Sequence, residues 1–248
     1  MDITARAEKL RALHSGEMLV LPNAWDVASA TVVAEAGFPA VATTSAAIAA
    51  MLGYDDGEGA PWQEMFAAAG RIARAVPVPV TIDAEAGYGL RPRELVNRLL
   101  EIEVAGCNLE DTDHRTGGLA GAEAHAEWLA AVRAAASDAG VPLVLNARVD
   151  TFLPDRGIPE PDRLAEAIRR GRLYRAAGAD CVYPIGVRDR HTITALVAEV
   201  PAPINGNTSD ELDLATLRAA GVARVSYGPS FYRAALANFA TAARRLRS

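Results

Sequence analysis

One phrase recurs along this chain: a helix-like stretch, an Ala-Gly pair, then a short apolar run. Ala36-Gly37, Ala105-Gly106, Ala139-Gly140, Ala177-Gly178 and Ala220-Gly221 each close a predicted helix two to four residues before such a run. Glycine suits that place because it takes the left-handed backbone that ends a helix. Strands that alternate with helices pair in parallel, with each helix as the crossover.

The spacing predicts a leading helix from Met1 to Leu13 and then eight strand-helix units. They run Met18–Leu21 with Val27–Ala36, Ala40–Thr43 with Trp62–Ala75, Val78–Ala84 with Pro92–Ala105, and Cys107–Leu109 with Ala122–Ala139. Leu143–Ala147 with Pro161–Ala177, Cys181–Tyr183 with Thr192–Val200, Pro203–Asn205 with Leu212–Ala220, and Val222–Tyr227 with Phe231–Leu246 complete them. Eight units in 248 residues, half of them apolar, fit one α/β domain over 1–248, a (β/α)8 TIM barrel. An open doubly wound sheet has the same linear pattern, since ring closure is not written in a sequence.

Composition removes several functions. A net charge of -6 with no basic stripe argues against nucleic acid and anionic membrane as partners. Absence of a secretory apolar core or a membrane-length run leads to a cytoplasmic expectation. Lys9 is the only lysine and stands in the leading helix, so imine chemistry at a strand end has no amine. Cys107 and Cys181 are too few and too distant in sequence for a disulfide framework or zinc site, and read as buried thiols.

In a barrel of this kind chemistry sits where strands end and loops begin. The predicted exits carry Asn23 and Asp26, Thr43 to Ser45, Asp83 and Glu85, Glu110 with Asp111 and Asp113, Arg148 and Asp150, Asn205 with Asn207 and Thr208, and Ser226. The opposite ends carry mostly Gly, Pro and Val. Asp83 and Glu85 at the mouth of one strand are hard oxygen donors suited to Mg²⁺ or Mn²⁺. Period-two alternation turns Asn108 and Glu110 into the mouth and Cys107 toward the helices. By the same rule Asn146 and Arg148 share a face, where Arg148 is either a cation for an anionic substrate or a salt bridge to Asp83 or Glu110.

Seven segments in this order resemble the isocitrate lyase and phosphoenolpyruvate mutase superfamily: Pro22-Asn23-Ala24-Trp25-Asp26, Thr43 to Ala47, Gly53 to Asp56, Ile82 to Gly89, Asn108 to Asp111, Asn146 to Asp150, and Arg224 to Gly228. The resemblance implies a Mg²⁺-dependent barrel that makes or breaks C–C or P–C bonds of 2-oxo acids through enolates. It implies that Ser45, with the N–H groups of Ala46 and Ala47, cradles a substrate carboxylate and keto oxygen. Asp83 becomes the direct metal ligand, Asp56, Glu85 and Glu110 the acids that hold the metal's waters, and Arg148 the cation facing the substrate. Asn205 joins the substrate-binding set.

Three features depart from the family pattern. The metal strand reads Asp83-Ala84-Glu85 instead of Asp-x-Asp. The lid after strand four, Thr112 to Leu119, lacks the Lys-Arg-Cys-Gly-His of the lyases and the Lys and Asn of the mutases, leaving His114 as its titratable group and Gly117 and Gly118 as hinges. Strand six ends in Tyr183-Pro184-Ile185, where relatives carry Glu or His.

The resulting expectation is a lyase or hydrolase of a small 2-oxo or 2-hydroxy dicarboxylic acid, oxaloacetate-like or alkylmalate-like, with Ser45, Arg148 and His114 as catalytic candidates. A phosphonopyruvate mutase or hydrolase and a catalytically silent 2-oxo-acid binder are the alternatives. His14, His125 and His191 read as surface or packing residues away from the exits. The last helix resembles the segment that family members exchange or pack between subunits, which implies a homo-oligomer, a dimer or tetramer; its Phe231, Leu236 and Phe239 suit its own barrel equally.

Overall fold

The structure is a computed structural model that describes residues 2–247. In chain order its helices are α1 (Ile3–Ala12), α2 (Val27–Glu35), α3 (Ser45–Leu52), α4 (Trp62–Ala75), α5 (Pro92–Glu101), α6 (Ala122–Asp138), α7 (Arg163–Ala176), α8 (Arg190–Glu199), α9 (Leu214–Ala219) and α10 (Ser230–Arg245). The strands are β1 (Leu19–Leu21), β2 (Asn23–Ala24), β3 (Val41–Thr43), β4 (Val80–Asp83), β5 (Gly106–Glu110), β6 (Val144–Val149), β7 (Cys181–Pro184), β8 (Asn205–Asn207) and β9 (Arg224–Ser226).

All pairings between these strands are parallel, and they run around a ring. β1 and β2 are one run interrupted by Pro22, whose ring nitrogen has no hydrogen to donate. The half before Pro22 pairs with β9 and the half after it with β3. At the other seam Val182 on β7 bridges to Ile204, and the Val182 N–H donates to the Pro203 carbonyl at 2.9 Å. The ring is the TIM-type barrel expected from the repeat.

Four of the five Ala-Gly pairs behave as predicted: Gly37, Gly140, Gly178 and Gly221 have φ of +86°, +70°, +98° and +84°. Gly106 does not. α5 stops at Glu101 rather than reaching Ala105, and Glu103 takes the left-handed position with φ +62°. Gly106 opens β5, where a Cβ would stand 2.7 Å from the Val144 carbonyl oxygen. The glycine is there for close strand approach, a second use that looks identical in sequence.

α1 lays Ala7 and Leu10 against Leu19, Leu21, Ala42, Ala105 and Val144. The larger cluster joins strand side chains such as Ile82, Leu109 and Leu145 to the inner faces of α4 to α9. Both cysteines are free and buried, with burial pushing each thiol up to about 12. Among the described residues no helix is long and apolar enough to cross a membrane.

His14 and His125 are packing residues, and His191 is exposed. His125 lies between Trp128, stacked at 5.7 Å, and the edge of Tyr174 at 5.0 Å, with Nε2 unpartnered. Burial pulls it down from 6.5 to about 4, the Arg170 charge adding to this and Asp150 opposing it. Above pH 6.5 both folded and unfolded forms are neutral, whereas between 6.5 and 4 only the unfolded form gains the proton, so stability falls as pH falls through that window. At pH 4.5 this costs about 2.5 kcal/mol. His125→Phe keeps the aromatic packing and removes the titration. Urea denaturation at pH 7 and 4.5 is expected to show a smaller loss for the variant by about that amount; an equal loss contradicts the assignment.

Candidate active site

β4, β5 and β6 deliver their last side chains to one end of the barrel. Asp83 N–H donates to Thr43 Oγ1 at 3.1 Å, which fixes the β4 exit against β3. The Asp83 carboxylate accepts from Ser45 through Oδ2, 3.0 Å from Oγ and 3.4 Å from the backbone nitrogen. Its other oxygen, Oδ1, is buried and has no partner. Ser45 begins α3, and the Thr44 side chain makes no capping bond. The first N–H groups of a helix have no partner within it, and they attract anions.

Glu85 and Glu110 stand side by side because the Glu110 N–H donates to the Glu85 carbonyl at 2.9 Å. Glu85 accepts from the Tyr88 hydroxyl and the Glu58 N–H, while Glu58 accepts from the Tyr88 N–H. Glu58, Glu85 and Tyr88 have φ of +60°, +49° and +56°. Three non-glycine residues in the left-handed region, bonded to one another, are local strain held in place by that network. Burial pushes Glu85 up to about 7 and does the same to Glu110, where Arg148 and His114 pull the other way.

Arg148 lies in an acidic clasp. Its Nη1 meets Glu110 Oε2, and Nε and Nη2 make a fork on Asp150 at 2.7 and 2.9 Å. Asp150 also accepts from Thr112, and its N–H donates to Asp111 at 2.9 Å. Arg148 therefore has the salt-bridge role, with Glu110 and Asp150 as its partners rather than Asp83, and it still lines the cavity above β6. His114 Nε2 lies 2.9 Å from Glu110 Oε1, and that carboxylate holds the imidazole above its ordinary value against burial. The lid is thus docked: Asp113 N–H donates to Gly118 O, and Arg156 reaches Gly117 O at 2.7 Å.

Asp111, adjacent to Glu110, faces outward. It accepts from Arg170 at 2.9 Å, Tyr174 at 2.7 Å and Asp150 N–H, and is fully buried. Asp111→Ala strands these donors and frees Asp150, and is expected to destabilise the fold by about 3 kcal/mol or more. Thermal denaturation checks this; an unchanged midpoint contradicts it.

A cavity of about 490 Å³ opens over this end. Its lining includes Thr44, Ser45, Ala46, Asp56, Asp83 and Arg148 and, further along the chain, Tyr183, Arg188, Asn207 and Arg233. The structure brings Ser45, Ala46, Asp56, Asp83 and Arg148 to its surface. Ala47, Glu85, Glu110 and His114 stand behind that surface rather than on it. Asn205 does not reach it. β8 begins two residues later than the sequence suggests, since Pro203 cannot donate to a strand ladder and serves only through its carbonyl. A shift of two keeps the face and lowers the layer. Asn205 is consequently in the fully buried interior, accepting from Asn146 at 3.1 Å and Ser226 at 3.0 Å, and Asn207 holds the mouth.

The residues fit a divalent cation. Asp83, Glu85, Glu110 and Asp150 outweigh Arg148 and His114, and Asp83 Oδ1 is an orphaned buried oxygen. Among the described residues no three acidic or histidine side chains converge as a direct ligand set. Asp83 offers one free carboxylate oxygen, and an ion such as Mg²⁺ takes one or two carboxylates and keeps several of its waters.

A family model described as phosphoenolpyruvate phosphomutase matches residues 10–247. An uncharacterized protein of Mycobacterium tuberculosis is 34% identical, over 93% of this chain and 85% of its own length. The oxaloacetate decarboxylase of a Bradyrhizobium species is 31% identical, over 82% of this chain and 71% of its own. The crystal structure of a Burkholderia cenocepacia protein provisionally assigned as a phosphonomutase superposes with a TM-score of 0.90 at 39% identity, over 98% of this chain and 99% of that one. Relatives are thus lyases and mutases, which supports enzyme status. Matched along nearly its whole length, with the barrel and the segments that carry the resemblance in place, the chain belongs to the phosphoenolpyruvate phosphomutase family, within the superfamily that includes isocitrate lyase.

Proposed function

We propose that this protein is a Mg²⁺-dependent lyase, able to use Mn²⁺, that cleaves a C–C bond of a small 2-oxo or 2-hydroxy dicarboxylic acid through an enolate. The observation that carries the reading is the convergence of the α3 N-terminus, which Thr44 does not cap, the partnerless Asp83 oxygen and Arg148 on one cavity. Asp83 would hold the ion directly, with Asp56, Glu85 and Glu110 holding its waters. When bound, the ion supplies positive charge where the substrate oxygen becomes negative as the bond breaks.

The protein's own groups do the positioning. The start of α3 would receive a carboxylate and keto oxygen through Ser45 and Ala46 on the cavity surface, with Ala47 behind them, and Arg148, fixed by Asp150 and Glu110, presents a charge that costs no reorganisation. Across the cavity Arg188 and Arg233 have no ion-pair partner among the described residues, which suits a second carboxylate. The docked lid braces Glu110 through His114. The oxaloacetate decarboxylase relative supports an oxaloacetate-like substrate.

A screen of 2-oxo and 2-hydroxy mono- and dicarboxylic acids, with Mg²⁺ and with chelator, tests the proposal. Metal-dependent cleavage of a dicarboxylic acid is expected; binding of such acids with no turnover at all contradicts it. The phosphonomutase-assigned relative favours a second reading, chemistry at a P–C bond, while the lid without Lys or Asn counts against it. Phosphorus NMR of phosphonopyruvate separates the two, an unchanged spectrum removing the second.

We place the enzyme in the cytoplasm as a homo-oligomer built on α10. No residue of that helix is buried; its start packs on the barrel through Phe231 on Tyr227 and Tyr232 on Trp25, while Leu236 and Phe239 beyond are 49 and 72% exposed, an apolar stretch left open for a second subunit.

A further inference from the structure

We infer that Tyr183 is the proton donor to the enolate carbon, an assignment that rests on the C–C lyase reading. Cleavage leaves the bonding electron pair on the carbon next to the carbonyl, and a proton must reach that carbon before the product leaves. Few groups on the cavity surface can supply it. Asp83 and Asp56 belong to the metal, the guanidiniums keep their protons, and the Ser45 hydroxyl, like the other aliphatic hydroxyls of the lining, is a far weaker acid than a phenol. His114 is behind the surface, with Nε2 against Glu110 and Nδ1 close to Gly57.

Asp210 also lines the cavity but is exposed to solvent, which leaves two phenols, Tyr183 and Tyr227. Tyr227 is at the rim and packs on Phe231 at 5.0 Å. Tyr183 is deep, 4% exposed, and pairs in register with Arg148 on the neighbouring strand. Its hydroxyl donates to Asn207 Oδ1 at 2.8 Å. The Asn207 amide donates in turn to the Ser226 carbonyl at 2.7 Å, which leaves its oxygen, not its nitrogen, facing the phenol. The hydroxyl is thus held at a fixed point of the cavity that Ser45 and Asp83 also line.

The electronics agree with the placement. Burial pushes the phenol up to about 12 with Arg148 opposing, so the proton is present throughout the neutral range. In the step the Tyr183 O–H bond breaks, a C–H bond forms with the enolate electron pair, and the phenolate pair stays on oxygen in the field of Arg148. Water returns the proton as product leaves. No oxidant or co-reactant is required.

The test uses Tyr183→Phe, which deletes one oxygen from a packed ring. Pyruvate is incubated with protein and Mg²⁺ in D₂O, and loss of its methyl protons is followed by NMR; by microscopic reversibility the donor of the forward step also mediates this exchange. The wild type is expected to exchange, the variant about 100-fold or more slowly. Oxalate affinity is expected to change less than about twofold, as for a group acting only on the reacting carbon. Exchange by the variant at the wild-type rate overturns the assignment and leaves the lyase reading standing. Parallel loss of exchange and oxalate binding also overturns it, showing a structural role. A wild type that neither exchanges pyruvate nor cleaves any acid in the screen overturns both.

Discussion

Arg148→Gln is expected to lower stability and activity together, more than any other single change at this site. The guanidinium is 12% exposed and neutralises Glu110, 3% exposed, and Asp150, which is fully buried. Two charges so placed cannot recover their hydration when the cation is removed, and breaking a buried pair in this way costs about 3–5 kcal/mol. For a chain of this size each kcal/mol moves the melting midpoint by about 2–4 °C, so a fall of about 6–20 °C is expected. Turnover should fall by at least about 100-fold as a preorganised positive charge is lost. Arg148→Lys is expected to recover some stability but little turnover, because an ammonium cannot make the fork on Asp150 while touching Glu110. Thermal denaturation with steady-state kinetics checks both; an unchanged midpoint in Arg148→Gln contradicts the clasp.

That clasp shows what the sequence reveals and what it does not. Arg148, Glu110 and Asp150 are legible as strand-exit residues, because alternation along a strand is rigid and the Ala-Gly punctuation locates the strands. Which carboxylate meets which guanidinium is not legible, since it depends on reach across neighbouring strands. Asp111 and Glu110 look equivalent in sequence, yet one binds Arg170 on α7 and the other faces the mouth.

The misses have physical causes. α3 is absent from the periodicity reading because Ser45 to Leu52 is an almost uniformly apolar stretch with no polar face to set a helical period. Its signal was the flanking pair, Thr44 before and Gly53 after, the latter in the left-handed cap at φ +90°. Glu58 carries no motif, and only the glycines on both sides of it, echoed around Tyr88, hinted at a strained turn. Tyr183 stands at a strand end where relatives carry Glu or His, and its hydroxyl is at the cavity on Asn207. Asn205 was misplaced by two residues because Pro203 reads as part of an apolar run while being unable to donate to the ladder.

The lid is the feature the sequence made hardest to interpret. Without the family's lid residues it offers His114 as its titratable group and catalytic candidate, and the structure gives that group a different task. His114 docks on Glu110, and Arg156 holds the Gly117 carbonyl, so the segment braces a carboxylate behind the cavity. Chemistry then has to come from the strand ends themselves.

Those strand ends converge on Asp83, whose carboxylate carries more of the proposed chemistry than any other group. Its Oδ2 already has Ser45, while Oδ1 is buried with no partner, as expected of an oxygen reserved for a cation. The most direct measurement is Mg²⁺-dependent cleavage of oxaloacetate and related acids by the wild type and by Asp83→Ala, with Mn²⁺ affinity measured in parallel on both. Wild-type turnover that disappears with chelator, a loss of about 1,000-fold or more in the variant, and weakened Mn²⁺ binding are predicted. Equal turnover by Asp83→Ala, or equal Mn²⁺ affinity, would contradict the account.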